Sequence, residues 1–204
     1  MSSSVLAGAE PWSHAGDRAS GVLVLHGFTG NPSSVRGVAR ALASAGHHVE
    51  LPRLPGHGTT IDDMQGTCWG DWVAEVAAAR ARLSTRVDTI VVAGLSMGGT
   101  LALHSAITAD DLLRGVVCIN PATRAQAPDV IEMLRELLDD GMHVVPGGGA
   151  DIADPAAVDL SYSGTPVAPL LSLQLDGLAG LERRYGEIGV PLRLLTSRQD
   201  HVVD

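Results

Sequence analysis

The stretch Val91-Val92-Ala93-Gly94-Leu95-Ser96-Met97-Gly98-Gly99 decides how this chain is read. An apolar, β-branched run ends at a serine with glycine two positions away on each side, and helical spacing continues over residues 97–108. That is a strand, a sharp turn and a helix, with G-x-S-x-G at the junction. The turn is so tight that side chains at 94 and 98 would collide with neighbouring backbone, which explains both glycines. It lifts the Ser96 hydroxyl above the sheet edge. It also leaves the amide of Met97 unpaired at the start of the helix, where it can face developing negative charge. The spacing therefore predicts Ser96 as a nucleophile and Met97 as one backbone donor to an oxyanion.

Outward from this junction, short apolar runs alternate with longer helical patterns. Strands are expected at 21–26, 48–51, 89–94, 115–120 and 191–196, and helices at 34–45, 69–83 and 97–108. The strands are continuously apolar rather than alternating, which fits a mostly parallel sheet covered by helices on both faces. After Pro121 the rhythm changes. A helix is expected at 129–138, then a turn-rich stretch around Pro146-Gly-Gly-Gly-Ala-Asp, then a last helical stretch over about 168–185. The reading divides the chain into a core of residues 1–120 and 188–204 and a cap, or lid, inserted at 121–187.

Composition narrows the function classes. The hydrophobic share of 45% and charged share of 18% describe a globular chain. The net charge of −9 argues against nucleic acid, which needs a basic face. All 14 basic residues are arginine, so a P-loop, which needs Gly-Lys-Ser/Thr, is excluded. Neither Gly56-His-Gly58 nor Gly147-Gly-Gly completes a dinucleotide-binding fingerprint. Two cysteines form no disulfide framework, and Cys118, inside Val116-Val117-Cys118-Ile119, reads as core. No signal peptide and no run near the ~18 apolar residues of a membrane span are visible, so a cytoplasmic protein is expected. The histidines form no zinc-ligand spacing, and no metal is expected.

The second chemical signal is His26-Gly27-Phe28-Thr29-Gly30, directly after the first of these strands. A site of this kind needs a second backbone donor from the loop after an early strand. Gly27 permits the tight turn, the amide of Phe28 is the candidate donor, and the Phe28 ring would wall the acyl pocket. His26 is read as tying the loop down.

Together, His26-Gly-Phe-Thr-Gly, Leu54-Pro-Gly-His-Gly, Gly94-Leu-Ser-Met-Gly and Ser197-Arg-Gln-Asp-His resemble the bacterial carboxylesterase and monoacylglycerol lipase branch of the α/β-hydrolases. The resemblance covers nearly the whole chain, strongest over 21–120 and 190–204 and weak across 121–187. It implies hydrolysis of short-to-medium acyl esters or monoacylglycerols through an acyl-enzyme on Ser96, with no cofactor. It also implies Phe28 and Met97 as oxyanion donors.

The triad order of this fold is Ser, then acid, then His. Asp200 follows the last strand on a loop where the resemblance expects the acid, whose task is to hold the imidazole. Asp204 is a second choice. His201 is a poor base, because a sequence neighbour on an extended loop points away from Asp200. The histidine, a further strand and a covering helix are therefore expected beyond Asp204, since 190–195 is apolar on both faces. A polypeptide ending at Asp204 is expected to be catalytically crippled. Leu170, Leu171, Leu173, Leu175 and Leu178 are expected to offer apolar surface to an ester's acyl chain. Two alternatives stay open: an inactive hydrolase-fold binding module, and a thioesterase or lactonase using the same parts. The oligomeric state is left open.

Overall fold

The computed structural model describes residues 3–147 and 158–200. The apolar runs pair into one sheet. In chain order the elements are strand β1 (Trp12–His14), β2 (Ser20–Leu25), helix α1 (Arg36–Ser44), β3 (His48–Leu51), α2 (Ile61–Gln65), α3 (Trp69–Ser84), β4 (Thr89–Leu95), α4 (Met97–Ile107) and β5 (Leu113–Ile119). There follow α5 (Pro128–Asp139), β6 (Val144–Pro146), β7 (Gly164–Pro166), α6 (Val167–Ser172), a π-helical segment (Leu173–Leu178), α7 (Ala179–Glu182) and β8 (Leu192–Leu195). The sheet order is β1-β3-β2-β4-β5-β8. Only β1 runs antiparallel, and Val22 stands beside Val91 and Val92 beside Val116.

Alternate residues of β2 go to opposite faces, and both faces are covered. Leu23 and Leu25 join Ile90, Val92 and Cys118 under Trp72 and Val76 of α3 and Leu101 of α4. Val22 and Val24 join Val49, Leu51 and Ala93 under Val35, Ala39 and Ala43. This two-sided burial is the reason the strands read as unbroken apolar runs.

Several expectations need amendment. The helical stretch expected over 168–185 runs without a break through α6, the π-helical segment and α7, with a widened turn in its middle. Buried Gln174 accepts a hydrogen bond from the Gln126 amide at 2.8 Å, and Gly177 lies against the Trp69 ring, where a Cβ would approach to 3.0 Å. These tertiary contacts accompany the widened π turn. The turn-rich stretch near Pro146 begins with a strand, β6 pairing with β7, and residues 148–157 lie outside the described residues. β8, apolar on both faces, has Leu192, Leu194 and Leu195 at 43%, 50% and 42% exposure among the described residues. It pairs with β5 along one edge only. β1 and α2 were not foreseen.

Within 121–187 a small core forms from Ile131 and Leu134 of α5 with Val167 and Leu171 of α6. Further along, Leu173, Leu178 and Leu181 enter the main core beside Trp69. Leu171, Leu173 and Leu178, foreseen as acyl-chain surface, are therefore packing residues, because the helix turns their faces onto α3 and α5. Among the described residues no helix is long and apolar enough to cross a membrane.

Sheet topology creates a crevice. From β2 the chain moves outward to β3, then crosses back to β4 on the other side of β2. The loops leaving β2 and β4 therefore diverge above adjacent strand ends, the usual place for a ligand in an open α/β sheet.

Candidate active site

Ser96 occupies the junction between β4 and α4 at φ 52°, ψ −118°, outside the ordinary regions for a residue with a side chain. Its amide donates to the Ile119 carbonyl at 2.9 Å, and its carbonyl accepts from Gly99 and Thr100 at 2.8 and 3.1 Å. The turn is tight in the way the two glycines suggest. A Cβ at Gly94 would stand 2.0 Å from the Gly98 carbonyl oxygen, and one at Gly98 would stand 2.4 Å from that of Leu25. Backbone thus replaces side chains on both sides of the serine. Beneath the elbow, the buried Cys118 thiol donates to the Gly99 carbonyl at 3.6 Å, and burial pushes its pKa up to about 11.

The loop after β2 passes close to this hydroxyl. A Cβ at Gly27 would sit 3.4 Å from the Ser96 Cβ and 3.9 Å from its Oγ. No acceptor among the described residues pairs the amides of Phe28 or Met97. The structure therefore brings Ser96, Met97 and the Phe28 loop together. The Phe28 ring stands edge-on to Trp72 and His57, at 5.8 and 6.4 Å between centroids.

His26 is fully buried and holds this loop against its neighbour. Its Nε2 accepts from the Leu54 amide at 3.1 Å, which leaves Nδ1 to carry the proton and donate to the Gly27 carbonyl at 3.0 Å. Burial, with the nearby His57, pushes its pKa down to about 3. His57, also buried, donates from Nδ1 to the Pro55 carbonyl at 2.9 Å, and burial pushes its pKa down to about 4. Both rings beside the oxyanion loop are thus held neutral and tied to backbone; His26 has both nitrogens engaged, whereas the buried His57 Nε2 has no partner among the described residues.

Asp200 lies on the loop beyond β8 and is half-buried. β8 flanks β5, which flanks β4, so this loop leaves the same edge of the sheet two strands from Ser96. It is fastened there by Asn120, whose Oδ1 accepts from the Ser197 amide at 2.7 Å and whose amide donates to the Leu195 carbonyl at 2.8 Å. His201 and Asp204 fall outside the described residues.

Among the described residues, the non-glycine positions with positive φ are Thr29, Ser96 and Asn120. They follow β2, β4 and β5 respectively, at one edge of the sheet. Strained backbone persists where the surroundings over-determine it, and such places cluster at functional sites. Among the same residues, no group of three or more His, Cys, Asp or Glu is arranged to hold a metal.

Comparison with known proteins identifies the family to which this fold belongs. Residues 22–163 match the model of the α/β-hydrolase fold. The chain belongs to the α/β-hydrolase family. It is 42% identical over 204 residues to the thermostable monoacylglycerol lipase of Bacillus sp. (strain H-257), covering 98% of this chain and 77% of that protein. It is 27% identical over 190 residues to a carboxylesterase of Bacillus subtilis (strain 168), covering 93% and 74%. Among solved structures, one of the metagenome-derived lipolytic enzymes LipS and LipT superposes with a TM-score of 0.89 at 38% identity, covering 98% of this chain and 80% of that one. The monoacylglycerol lipase of Paleococcus ferrophilus shares the fold, with a TM-score of 0.71 at 18% identity over 91% and 76% of the chains.

Three residues of this α/β-hydrolase site escaped the sequence reading. Thr29 carries no signal, since a β-branched residue is the last expected at positive φ. Tyr162, whose amide donates to the Thr29 carbonyl at 3.1 Å, sits in the weakly patterned 121–187 stretch. Asn120 was read as the end of a strand, although asparagine at a strand terminus is a hint of left-handed backbone.

Proposed function

We propose that this α/β-hydrolase cleaves carboxylic esters with apolar acyl chains, short-to-medium acyl esters or monoacylglycerols, through an acyl-enzyme on Ser96. The observation that carries the proposal is the elbow: a strained serine at the head of α4, beside a loop whose Phe28 amide has no partner among the described residues. Homology to a monoacylglycerol lipase at 42% identity and to a carboxylesterase supports an ester as the substrate class.

In this reading the Ser96 oxygen attacks the acyl carbon while an imidazole takes its proton. The tetrahedral oxyanion is met by the amides of Phe28 and Met97, a contact absent from the planar ester and hence specific to the transition state. Collapse expels the alcohol, which receives the proton from the imidazolium. Water, activated by the same imidazole, then releases the acid. Asp200 is the proposed acid that orients the imidazole. The imidazole is proposed to be one other than His26, both of whose ring nitrogens are engaged with backbone. Segment 121–187 is proposed to act as a cap over the crevice. The half-buried Phe28 ring, backed by the core residue Trp72, is proposed as the apolar wall in place of Leu171, Leu173 and Leu178, which are core.

A fluorophosphonate probe with peptide mapping, run beside a panel of p-nitrophenyl esters and monoacylglycerols on the full-length enzyme, tests the proposal. Labelling is expected at Ser96, with labelling and turnover both lost in Ser96→Ala. Labelling elsewhere, or no ester turnover by the wild type, overturns it.

A further inference from the structure

The Phe28 amide can serve an oxyanion only if the loop around it holds one direction, and the backbone there is not self-sustaining. Thr29 sits at φ 58°, a conformation costly for a β-branched side chain. Its own hydroxyl donates to the Phe28 carbonyl at 2.7 Å, fixing the Phe28–Thr29 peptide next to the one that carries the Phe28 amide, whose Gly27 carbonyl His26 holds. The other tie comes from far along the chain: the Tyr162 amide donates to the Thr29 carbonyl at 3.1 Å. The Tyr162 hydroxyl meanwhile donates to the Gly56 carbonyl at 2.8 Å and accepts from the Thr59 amide at 3.0 Å. One step further, the Asn31 side-chain amide donates to the Leu160 carbonyl at 2.9 Å.

The turn that Tyr162 grips is the same turn that backs the Phe28 ring. His57 and the Trp72 indole both donate to the Pro55 carbonyl, at 2.9 and 3.1 Å, and both stand edge-on to Phe28. Ring and backbone of the loop are therefore referred to one turn by two separate routes. Only the Tyr162 route crosses to the segment that leads into β7.

We propose that Tyr162 is a positioning residue: it clamps the strained Thr29 turn to the Gly56–Thr59 turn and so holds the Phe28 amide in the direction that receives the oxyanion. This rests on the reading of Phe28 as an oxyanion donor. It adds that the donor's geometry depends on the docking of residues 158–163. Because the clamp acts on a contact made only in the transition state, its loss should appear in kcat and not in KM.

The test compares Tyr162→Phe with Tyr185→Phe in the full-length enzyme. Tyr185 is a fair control: it is also half-buried and donates its hydroxyl to a carbonyl, that of Thr123 at 2.6 Å, a partner outside the 26–31 loop. Tyr162→Phe is expected to lower kcat for a p-nitrophenyl ester about tenfold with KM within about twofold, and to weaken a boronic-acid tetrahedral adduct in parallel. Tyr185→Phe is expected to lose comparable stability and keep its kcat. Amide hydrogen exchange supplies a readout independent of turnover: peptides covering 26–31 should exchange about tenfold faster in Tyr162→Phe alone. Equal exchange in the two variants, or unchanged kcat beside faster exchange, overturns the proposal. Absence of ester turnover by the wild type would reject the ester assignment instead, and the clamp would then stand or fall on the exchange result.

Discussion

At Gly98 an added methyl group would meet the Leu25 carbonyl at 2.4 Å, while at Gly37, near the start of α1, it would meet nothing within 4 Å. The same substitution should therefore have opposite signs. Gly98→Ala must displace β2 or the elbow and is expected to cost about 2 kcal/mol or more, with loss of activity. Gly37→Ala gains helix propensity and is expected to stabilise by about 0.5 kcal/mol. Urea midpoints decide both. Ser96 gives a third case. Its backbone stores strain of about 1–3 kcal/mol that glycine would relieve. Ser96→Gly is expected to be inactive yet to unfold at a higher urea concentration than Ser96→Ala, which keeps the strain. Equal midpoints would mean that the elbow is not strained.

Among the elements, the π-helical segment has the most specific dependence on a single side chain. Gln174 is buried, and its Oε1 is the partner of the Gln126 amide. Gln174→Ala leaves that donor unpaired and should cost about 1–3 kcal/mol, measured by thermal or urea unfolding. A loss below about 0.5 kcal/mol would mean that the segment is held by Leu173 and Leu178 alone. This element also marks where the sequence stops being legible. The strands from β2 to β5 and the helices α3 to α5 are readable because burial on one or both sides writes a period into the chain. Gly94 and Gly98 are readable because the turn admits nothing larger. A π turn arises from contacts of Gln174 and Gly177 with residues scores of positions away, and no local period encodes it. Tyr162 is hidden for the same reason. Its partners Thr29, Gly56 and Thr59 lie over a hundred positions upstream, and an isolated tyrosine in a weakly patterned stretch gives no hint of them. β8 is readable as a strand apolar on both faces, and among the described residues it pairs with β5 along one edge while its leucines stand exposed.

For the molecule as a whole, two buried neutral imidazoles set a dependence on acid. In the folded protein His26 is depressed to about 3 and His57 to about 4, whereas an unfolded histidine titrates near about 6.5. Between those values the unfolded chain binds protons that the folded chain refuses. Their stabilising effect is therefore fully present above about pH 6.5, falls as pH drops below it, and is exhausted only near pH 3–4. While both rings titrate the slope approaches about 2.7 kcal/mol per pH unit. Unfolding midpoints at pH 7, 6 and 5 should fall steadily, and His57→Gln should remove about one proton from the slope. A flat profile from pH 7 to 5 would show that the rings are not held neutral.

The thiol under the elbow adds a clock to this molecule. Cys68 is exposed at the head of α3, while Cys118 is buried between β5 and α4 with its proton held tightly. An alkylating reagent should consume Cys68 at once and wait for Cys118 until β5 and α4 part. The rate of that second modification then counts openings of the scaffold beneath Ser96. It should rise in Gly98→Ala and slow in Ser96→Gly, so that rigidity of the nucleophile's support is read in minutes by mass, without any substrate. Modification of both thiols at one rate would mean that the elbow opens as readily as the surface.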